Sequence, residues 1–462
     1  MKMFLLLICL LFSTVTFAKT ETFNAGRFGK VTIYGAEKDS PSQFILFLSG
    51  DGGWNAGVVD MANSLEAPDT VVVGISTPAY FKNLLKSKEK CHYVAADLES
   101  LSHLIQMKFN FKEYVIPTLV GYSSGASLVY GVLAQAPSNT FKGAISLGFC
   151  PDIEADKPLC KGSGLESTVL KKNKDFLMKP YEKLKQPWVV LHGNIDQVCS
   201  FAEQKKFTEG LPNTTFVELN KVGHGFSVQK NWMPQFKEAF TKIIDLDRPK
   251  AKNPAIQDLP VEEMEVEGKS NSTLVVILSG DGGWASLDKD LAGAFNEQGY
   301  SVVGLNSLKY FWKPKTEDDI GRDLNRIGVH YMKEWKKSKI LWVGYSMGAD
   351  ALPFGLNRVS DEVKKQSLAS IYIGLSRNAE FEFNFSNWLT TGASEDGKPT
   401  KPEIIKLSSS ASSLKNICIF GTEEDDSGCE VLKENIKVIE LPGGHHFGGD
   451  YDKIAALILK SI

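Results

Sequence analysis

Leu48-Ser49-Gly50-Asp51-Gly52-Gly53-Trp54 and Leu278-Ser279-Gly280-Asp281-Gly282-Gly283-Trp284 are the same seven residues at two places in one chain of 462. Each run ends an apolar stretch, Phe44-Ile45-Leu46-Phe47 in one case and Leu274-Val275-Val276-Ile277 in the other. The match continues in order: Val72-Val73-Gly74 with Val302-Val303-Gly304, Tyr80-Phe81 with Tyr310-Phe311, Asp97-Leu98 with Asp323-Leu324, and Val120-Gly121-Tyr122-Ser123 with Val343-Gly344-Tyr345-Ser346. Two copies of one domain account for this most economically. Between them, 247–258 carries Arg-Pro, Asn-Pro and mixed charges without strand or helix periodicity, which marks a linker between domains at 19–246 and 259–462.

In the second copy, short apolar runs at 274–278, 301–305, 340–343, 369–373, 417–420 and 438–441 read as strands, with amphipathic stretches such as 316–336 between them. That alternation predicts an α/β fold: a mostly parallel sheet flanked by helices in each copy.

Chemistry is expected at the turns that follow the strands. Gly121-Tyr122-Ser123-Ser124-Gly125 and Gly344-Tyr345-Ser346-Met347-Gly348 both fit Gly-x-Ser-x-Gly between an apolar strand and a helix. This is the nucleophile elbow of α/β-hydrolases, so the fold class becomes two tandem α/β-hydrolase domains. A serine hydroxyl needs a histidine base and an acid that orients it. In the first copy these are Asp196, in the loop after Val189 to Leu191, and His224, giving the chain order Ser123, Asp196, His224. In the second copy His445 takes the base position, with His446 as runner-up. The acid lies in Glu423-Glu424-Asp425-Asp426. Counting from Gly421 selects Glu424 and counting back from Cys429 selects Asp426; Asp426 is favoured if the extra residues loop out before the acid, and Asp425 stays open. The glycine-rich turn is where this fold supplies an oxyanion-hole amide, which assigns that role to Asp51 or Gly52 with Ser124, and to Asp281 or Gly282 with Met347. A purely structural turn with Trp54 and Trp284 as core aromatics is the competing reading.

Other features point to packing. His92, His103, His192 and His330 lack metal-ligand spacing, so no metal is expected. No phosphate-cradling glycine motif appears, so no cofactor is expected. Tyr310, Phe311 and Trp312 suit the wall of an acyl site or buried packing equally well.

The net charge of −3 is spread along the chain, which gives no footprint for nucleic acid. Residues 1–18 combine a positive start, an apolar run and a small-x-small end, the pattern of a cleavable secretory signal, so a periplasmic location is expected. Of the 7 cysteines only Cys9 falls in that segment. Cys418 and Cys429 are the remaining pair in the second copy and are expected to bridge, leaving Cys91, Cys150, Cys160 and Cys199 to pair within the first.

Leu-Ser-Gly-Asp-Gly-Gly-Trp, Gly-Tyr-Ser-x-Gly-Ala and Gly-Gly-His-His-Phe, in this order behind a signal segment, resemble the VirJ/AcvB family of bacterial virulence proteins. The resemblance covers nearly the whole mature chain, and the two-copy layout fits its longer members. It implies a periplasmic hydrolase that cleaves the aminoacyl ester of lysyl-phosphatidylglycerol at the membrane surface, with links to type IV secretion components as partners. It places the catalytic serine at Ser346, with His445 and an acid from the 423–426 loop. Glu423 and Glu424 would then meet the lysyl ammonium groups, a solvated surface loop being the equal alternative for this acidic run. The first copy departs where Gly225 replaces the second histidine and the acidic run is missing. The alternatives are another serine esterase, lipase or peptidase, or a non-catalytic periplasmic adaptor that kept the fold.

Overall fold

A computed structural model describes residues 20–462 apart from 36–40, 173, 247–254, 267, 269, 384–396 and 412. The signal segment and most of the linker lie outside the described residues. Each copy builds one sheet. In the first, eight strands lie in the order Thr20–Asn24, Lys30–Tyr34, Thr70–Ile75, Gln43–Leu48, Thr118–Tyr122, Gly143–Leu147, Trp188–Gly193, Thr214–Leu219. Lys30–Tyr34 pairs antiparallel with both Thr20–Asn24 and Thr70–Ile75, and the six strands from Thr70–Ile75 onward in this order are parallel. The second sheet has seven strands: Val261–Met264, Ser301–Leu305, Thr273–Leu278, Lys339–Tyr345, Ser367–Ile373, Lys415–Gly421, Lys437–Leu441. Only Val261–Met264 is antiparallel there. The six strands read from the sequence agree with the structure to within a residue or two, and helix Glu317–Glu334 fills the stretch read as 316–336. The antiparallel edge strands were missed, because short strands such as Val-Glu-Glu-Met carry almost no apolar pattern.

The central strands are buried on both faces, so they read as near-continuous apolar runs. Helices cover both sides. In the first copy one core lies beneath Val94–Lys108 and Ser124–Gln135 and a second beneath Ala56–Asn63 and Met233–Leu246. The second copy repeats both layers. These are two α/β-hydrolase domains in tandem. The stretch 255–258, read as linker, already packs on the second one: Ile256 is buried in its core and Asp258 pairs with Arg326.

The residues repeated between the copies are contact pairs. A Cβ on Gly74 would lie 2.1 Å from the Trp54 ring, and one on Gly304 would lie 2.2 Å from that of Trp284. The repeated Val-Val-Gly therefore makes room for the repeated Trp. The Tyr80 hydroxyl donates to Asp97 at 2.7 Å and that of Tyr310 to Asp323 at 2.8 Å. Tyr310 is thus a buried packing residue and not the wall of an acyl site. Trp312 belongs to the contact between the domains: its indole N–H donates to the Phe111 carbonyl at 3.0 Å, and its ring packs with Tyr114 and Phe383. Nearby, the Asn139 amide donates to the Trp284 carbonyl at 3.0 Å, so the first domain braces the glycine-rich turn of the second.

Three disulfides form, Cys91–Cys160, Cys150–Cys199 and Cys418–Cys429, matching the expected bridge and the expected confinement of the other four cysteines. Such bridges suit folding in an oxidising compartment. No helix among the described residues is long and apolar enough to cross a membrane.

The Trp–Gly contact predicts that Gly304→Ala destabilises the second domain by about 1–3 kcal/mol through overpacking. Trp284→Leu should relieve much of that cost in the double variant, read as a coupling energy in urea unfolding followed by circular dichroism.

Candidate active site

Each elbow is built by glycines that let backbone touch backbone. A Cβ on Gly125 would lie 2.3 Å from the Leu48 carbonyl oxygen, and one on Gly348 would lie 2.2 Å from that of Leu278. The helix after each serine is therefore drawn against the end of the neighbouring strand. Ser123 and Ser346 adopt φ of 54° and 50°, a region that L-residues rarely enter, which turns each hydroxyl out above the sheet. Ser124 and Met347 open helices Ser124–Gln135 and Met347–Leu356, so their amides are among the first-turn donors with no partner inside the helix.

The glycine-rich turn is held beside the serine in the same way in both copies. The Ser49 hydroxyl donates to the Gly50 carbonyl and accepts the Thr77 amide; Ser279 does the same with Gly280 and Ser307. The Gly53 and Gly283 amides close the turns onto Gly50 and Gly280. A Cβ on Gly50 would lie 3.0 Å from the Ser123 Cβ, and one on Gly280 would lie 3.5 Å from that of Ser346, so Asp51 and Asp281 follow directly beside the two serines. The Gly282 amide is engaged by the Asp281 carboxylate at 3.1 Å.

In the first copy the structure brings Ser123, His224 and Asp196 together. Ser123 Oγ lies 2.9 Å from His224 Nε2, and His224 Nδ1 lies 2.8 Å from Asp196 Oδ2. Burial pushes the Asp196 carboxyl up, but the Cys199 amide, the His224 ring and the Val198 amide outweigh it and hold the group below the ordinary carboxylate value. The Cys150–Cys199 bridge ties this acid loop to the end of strand Gly143–Leu147.

In the second copy the structure brings Glu424, not the expected Asp426, to His445. His445 Nδ1 lies 3.1 Å from Glu424 Oε2, whereas Asp426 faces solvent and pairs with Arg377 at 2.5 Å. The reason is the packing of Gly421: a Cβ there would lie 2.4 Å from the Gly443 carbonyl oxygen, just as one on Gly193 would meet that of Val222 at 2.0 Å. That contact fixes the end of the strand against the histidine loop, so the acid is counted from the glycine and the extra residues follow it. Glu424 is therefore committed to His445 and is not free to contact substrate, while Glu423 stays exposed. Gly428 N–H donates to the Leu375 carbonyl at 2.7 Å and the adjacent Cys429 bridges to Cys418, so this loop is tied both to the neighbouring strand end and to its own strand.

His445 rather than His446 meets the acid. The Tyr345 hydroxyl lies 3.1 Å from His446 Nδ1. Burial pulls the His445 ring down, but the Glu424 hydrogen bond and charge, with Asp281 and Asp350 nearby, raise it overall above the ordinary histidine value. Among the described residues no hydrogen bond joins Ser346 to His445; such contacts commonly tighten only around substrate. Burial also raises Asp281, and it raises Asp350 to about 7.

Several site features had no clear sequence signal. Gly148 and Gly374 have φ of 67° and 60°, and a Cβ on either would press on the imidazole of His224 or His445, at 3.3 and 2.5 Å. The hydroxyls of Tyr122 and Tyr345 donate to the carbonyls of His224 and His445. Phe226 and Phe447, in the histidine turns, share a positive φ of 47° and 50°. The recurrence of Tyr before each serine and Phe in each histidine turn was the available hint.

Each half thus has the α/β-hydrolase fold and places an elbow serine, a histidine after the last strand and an acid in the preceding loop at corresponding positions. The chain belongs to the VirJ family of bacterial virulence proteins, whose model matches residues 42–146 and 272–462, more than half of its length. In the first copy that match stops before Asp196 and His224. Among solved structures the chain is similar to the esterase domain of a Rhodothermus marinus protein (14% identity, 49% of this chain and 98% of that chain covered, TM-score 0.33). It is similar also to a putative dienelactone hydrolase from Klebsiella pneumoniae (14%, 49% and 97%, TM-score 0.34) and to an α/β serine hydrolase homologue from Coxiella burnetii (15%, 51% and 100%, TM-score 0.30). No curated protein matches the chain.

The acid assignment predicts that Glu424→Gln lowers Ser346-dependent ester turnover by about 10³–10⁴-fold, as loss of the orienting acid does in comparable triads. Asp426→Asn should change kcat less than about threefold. Steady-state rates in a Ser123→Ala background measure both.

Proposed function

We propose that the protein is a periplasmic serine hydrolase whose C-terminal copy cleaves the aminoacyl ester of lysyl-phosphatidylglycerol. The observation that carries this reading is the His445–Glu424 pair beside the elbow serine, in surroundings rich in carboxylates. In the proposed reaction Ser346 Oγ attacks the lysyl carbonyl carbon while His445 Nε2 takes its proton. Glu424 accepts the Nδ1–H bond and stabilises the imidazolium that forms. The Met347 amide, with one from the Asp281–Gly282 turn, faces the developing oxyanion. The ester C–O bond then breaks, and the phosphatidylglycerol hydroxyl leaves with the proton held by His445. Water, activated by the same histidine, releases lysine and restores Ser346.

Burial favours the neutral forms of the Asp281 and Asp350 carboxyls, but a bound ammonium group would draw them into ionisation, and Glu423 stands exposed at the rim of the site. Such surroundings favour a substrate carrying ammonium groups over a neutral one. Membership in a family of bacterial virulence proteins and the three disulfides support an extracytoplasmic setting, where the lipid headgroup is within reach.

Ser346→Ala and His445→Ala should each remove lysyl-phosphatidylglycerol turnover by several orders of magnitude, with the double variant little worse, because triad members act as a unit. Ser123→Ala should retain most of it. Mass spectrometry of released lysine from mixed micelles measures this; wild-type turnover by Ser346→Ala overturns the assignment. Neutralising Glu423 should raise KM for the lysyl lipid more than for an uncharged ester.

The raised His445 pKa also fixes the sign of the pH dependence. The base must be neutral to act, so the acid limb of kcat/KM for this substrate should have its midpoint above the ordinary histidine value of about 6.5. A limb below that value would contradict the His445 environment described here.

A further inference from the structure

We propose that the N-terminal copy is a second esterase site, one that takes neutral carboxylic esters and seats an apolar acyl chain in the cavity beside Ser123. This goes beyond the reading of Ser346 and rests on different residues.

A cavity of about 430 Å³ opens onto Ser123 and is bounded on one side by the Gly50–Gly53 turn. Its walls include Val58, Met61, Phe226 and Trp232, all buried. The carboxylates that border it, Asp51 and Asp60, are exposed and keep their hydration. The nucleophile, the base and the acid are already hydrogen-bonded in sequence, at 2.9 and 2.8 Å. A scaffold has no physical need for a serine held at φ 54° against such a pair, beside a cavity with an apolar wall.

The other copy shows how the same space is made polar. Helices Ala56–Asn63 and Ser286–Glu297 both begin two residues after the repeated Trp, so Asp288 stands where the first copy has Val58. Asp288 is buried, and its Oδ1 has no hydrogen-bond partner among the described residues. In the histidine turn, His446 stands where the first copy has Gly225. Val58 and Gly225 thus leave the first cavity without the buried carboxyl and the second imidazole of the other copy, its two carboxylates standing at the exposed border. An apolar wall of this kind penalises an ammonium group and rewards hydrocarbon, which selects neutral acyl esters and disfavours the lysyl lipid.

The reaction balances without any co-reactant beyond water. Ser123 Oγ bonds to the acyl carbon and passes its proton to His224 Nε2; the C–O bond to the alcohol breaks, and the alcohol departs with that proton. Water then splits the acyl–serine ester, giving the carboxylic acid and free Ser123.

The test uses the full-length chain carrying Ser346→Ala, which removes the other nucleophile, with p-nitrophenyl acetate, butyrate and hexanoate as probes. Turnover should persist, and kcat/KM should climb about three- to fourfold per methylene until the cavity is filled. Adding Ser123→Ala should lower it at least about 10³-fold. Adding Val58→Phe should move the optimum to a shorter chain, with circular dichroism checking that each variant is folded. Absence of turnover in the Ser346→Ala chain, turnover that survives Ser123→Ala, or rates flat with chain length would each overturn the proposal. Lysyl-phosphatidylglycerol turnover, followed in the chain with Ser346 intact, fails or succeeds separately and bears only on the C-terminal site.

Discussion

Everything at the two sites depends on one close approach, the Cβ-free contact of Gly125 with the Leu48 carbonyl and of Gly348 with that of Leu278. It brings the helix that follows the serine to the end of the adjacent strand, from which the glycine-rich turn also springs. Any side chain at either glycine would push helix and strand apart, and with them the serine and the turn that must face the same carbonyl oxygen. The serine's positive φ is the local cost of this arrangement, held in place by the packed sheet below. From there the geometry propagates outward: Ser49 and Ser279 lock their turns, and Gly74 and Gly304 accept the Trp that follows.

The copies share this frame and differ in how the acid and histidine loops are fastened and charged. Both hold the acid loop with a disulfide, but the first ties it to the neighbouring strand through Cys150–Cys199, whereas the second closes the loop on its own strand through Cys418–Cys429 and adds the Gly428 amide to a longer, more acidic loop. The first leaves Val58 and Gly225 beside its serine, while the second has Asp288 and His446 there. One scaffold thus presents two different surroundings to two similarly placed serines, which is the basis of the different substrates proposed for them. The first domain also contributes mechanically to the second site, since Asn139 and Phe111 hold Trp284 and Trp312.

Much of this was legible in the sequence because the repeated residues are contact partners. Trp with Gly and Tyr with Asp are contact pairs present in both copies, so their recurrence marks the duplication. Ser123, Asp196 and Ser346 stood out because each follows a buried strand whose apolar run is easy to see, and His224 and His445 because the Gly-His-x-Phe turn recurs at matching distance from each serine. Glu424 was harder. The decision between it and Asp426 rests on Gly421 pressing against the Gly443 carbonyl, a backbone contact that residue spacing does not encode. The same holds for Gly148 and Gly374, whose importance lies in what a Cβ would strike. Edge strands such as Thr20–Asn24, exposed at alternate positions, carry too little apolar signal to be read in advance.

The claim that each half holds an activated serine can be tested directly by covalent labelling. Incubating the purified chain with a fluorophosphonate probe and measuring its intact mass, followed by peptide mapping, should reveal two adducts, one on Ser123 and one on Ser346. A chain that stays unlabelled while folded would contradict the reading of both sites, and labelling at one serine alone would confine the chemistry to that copy.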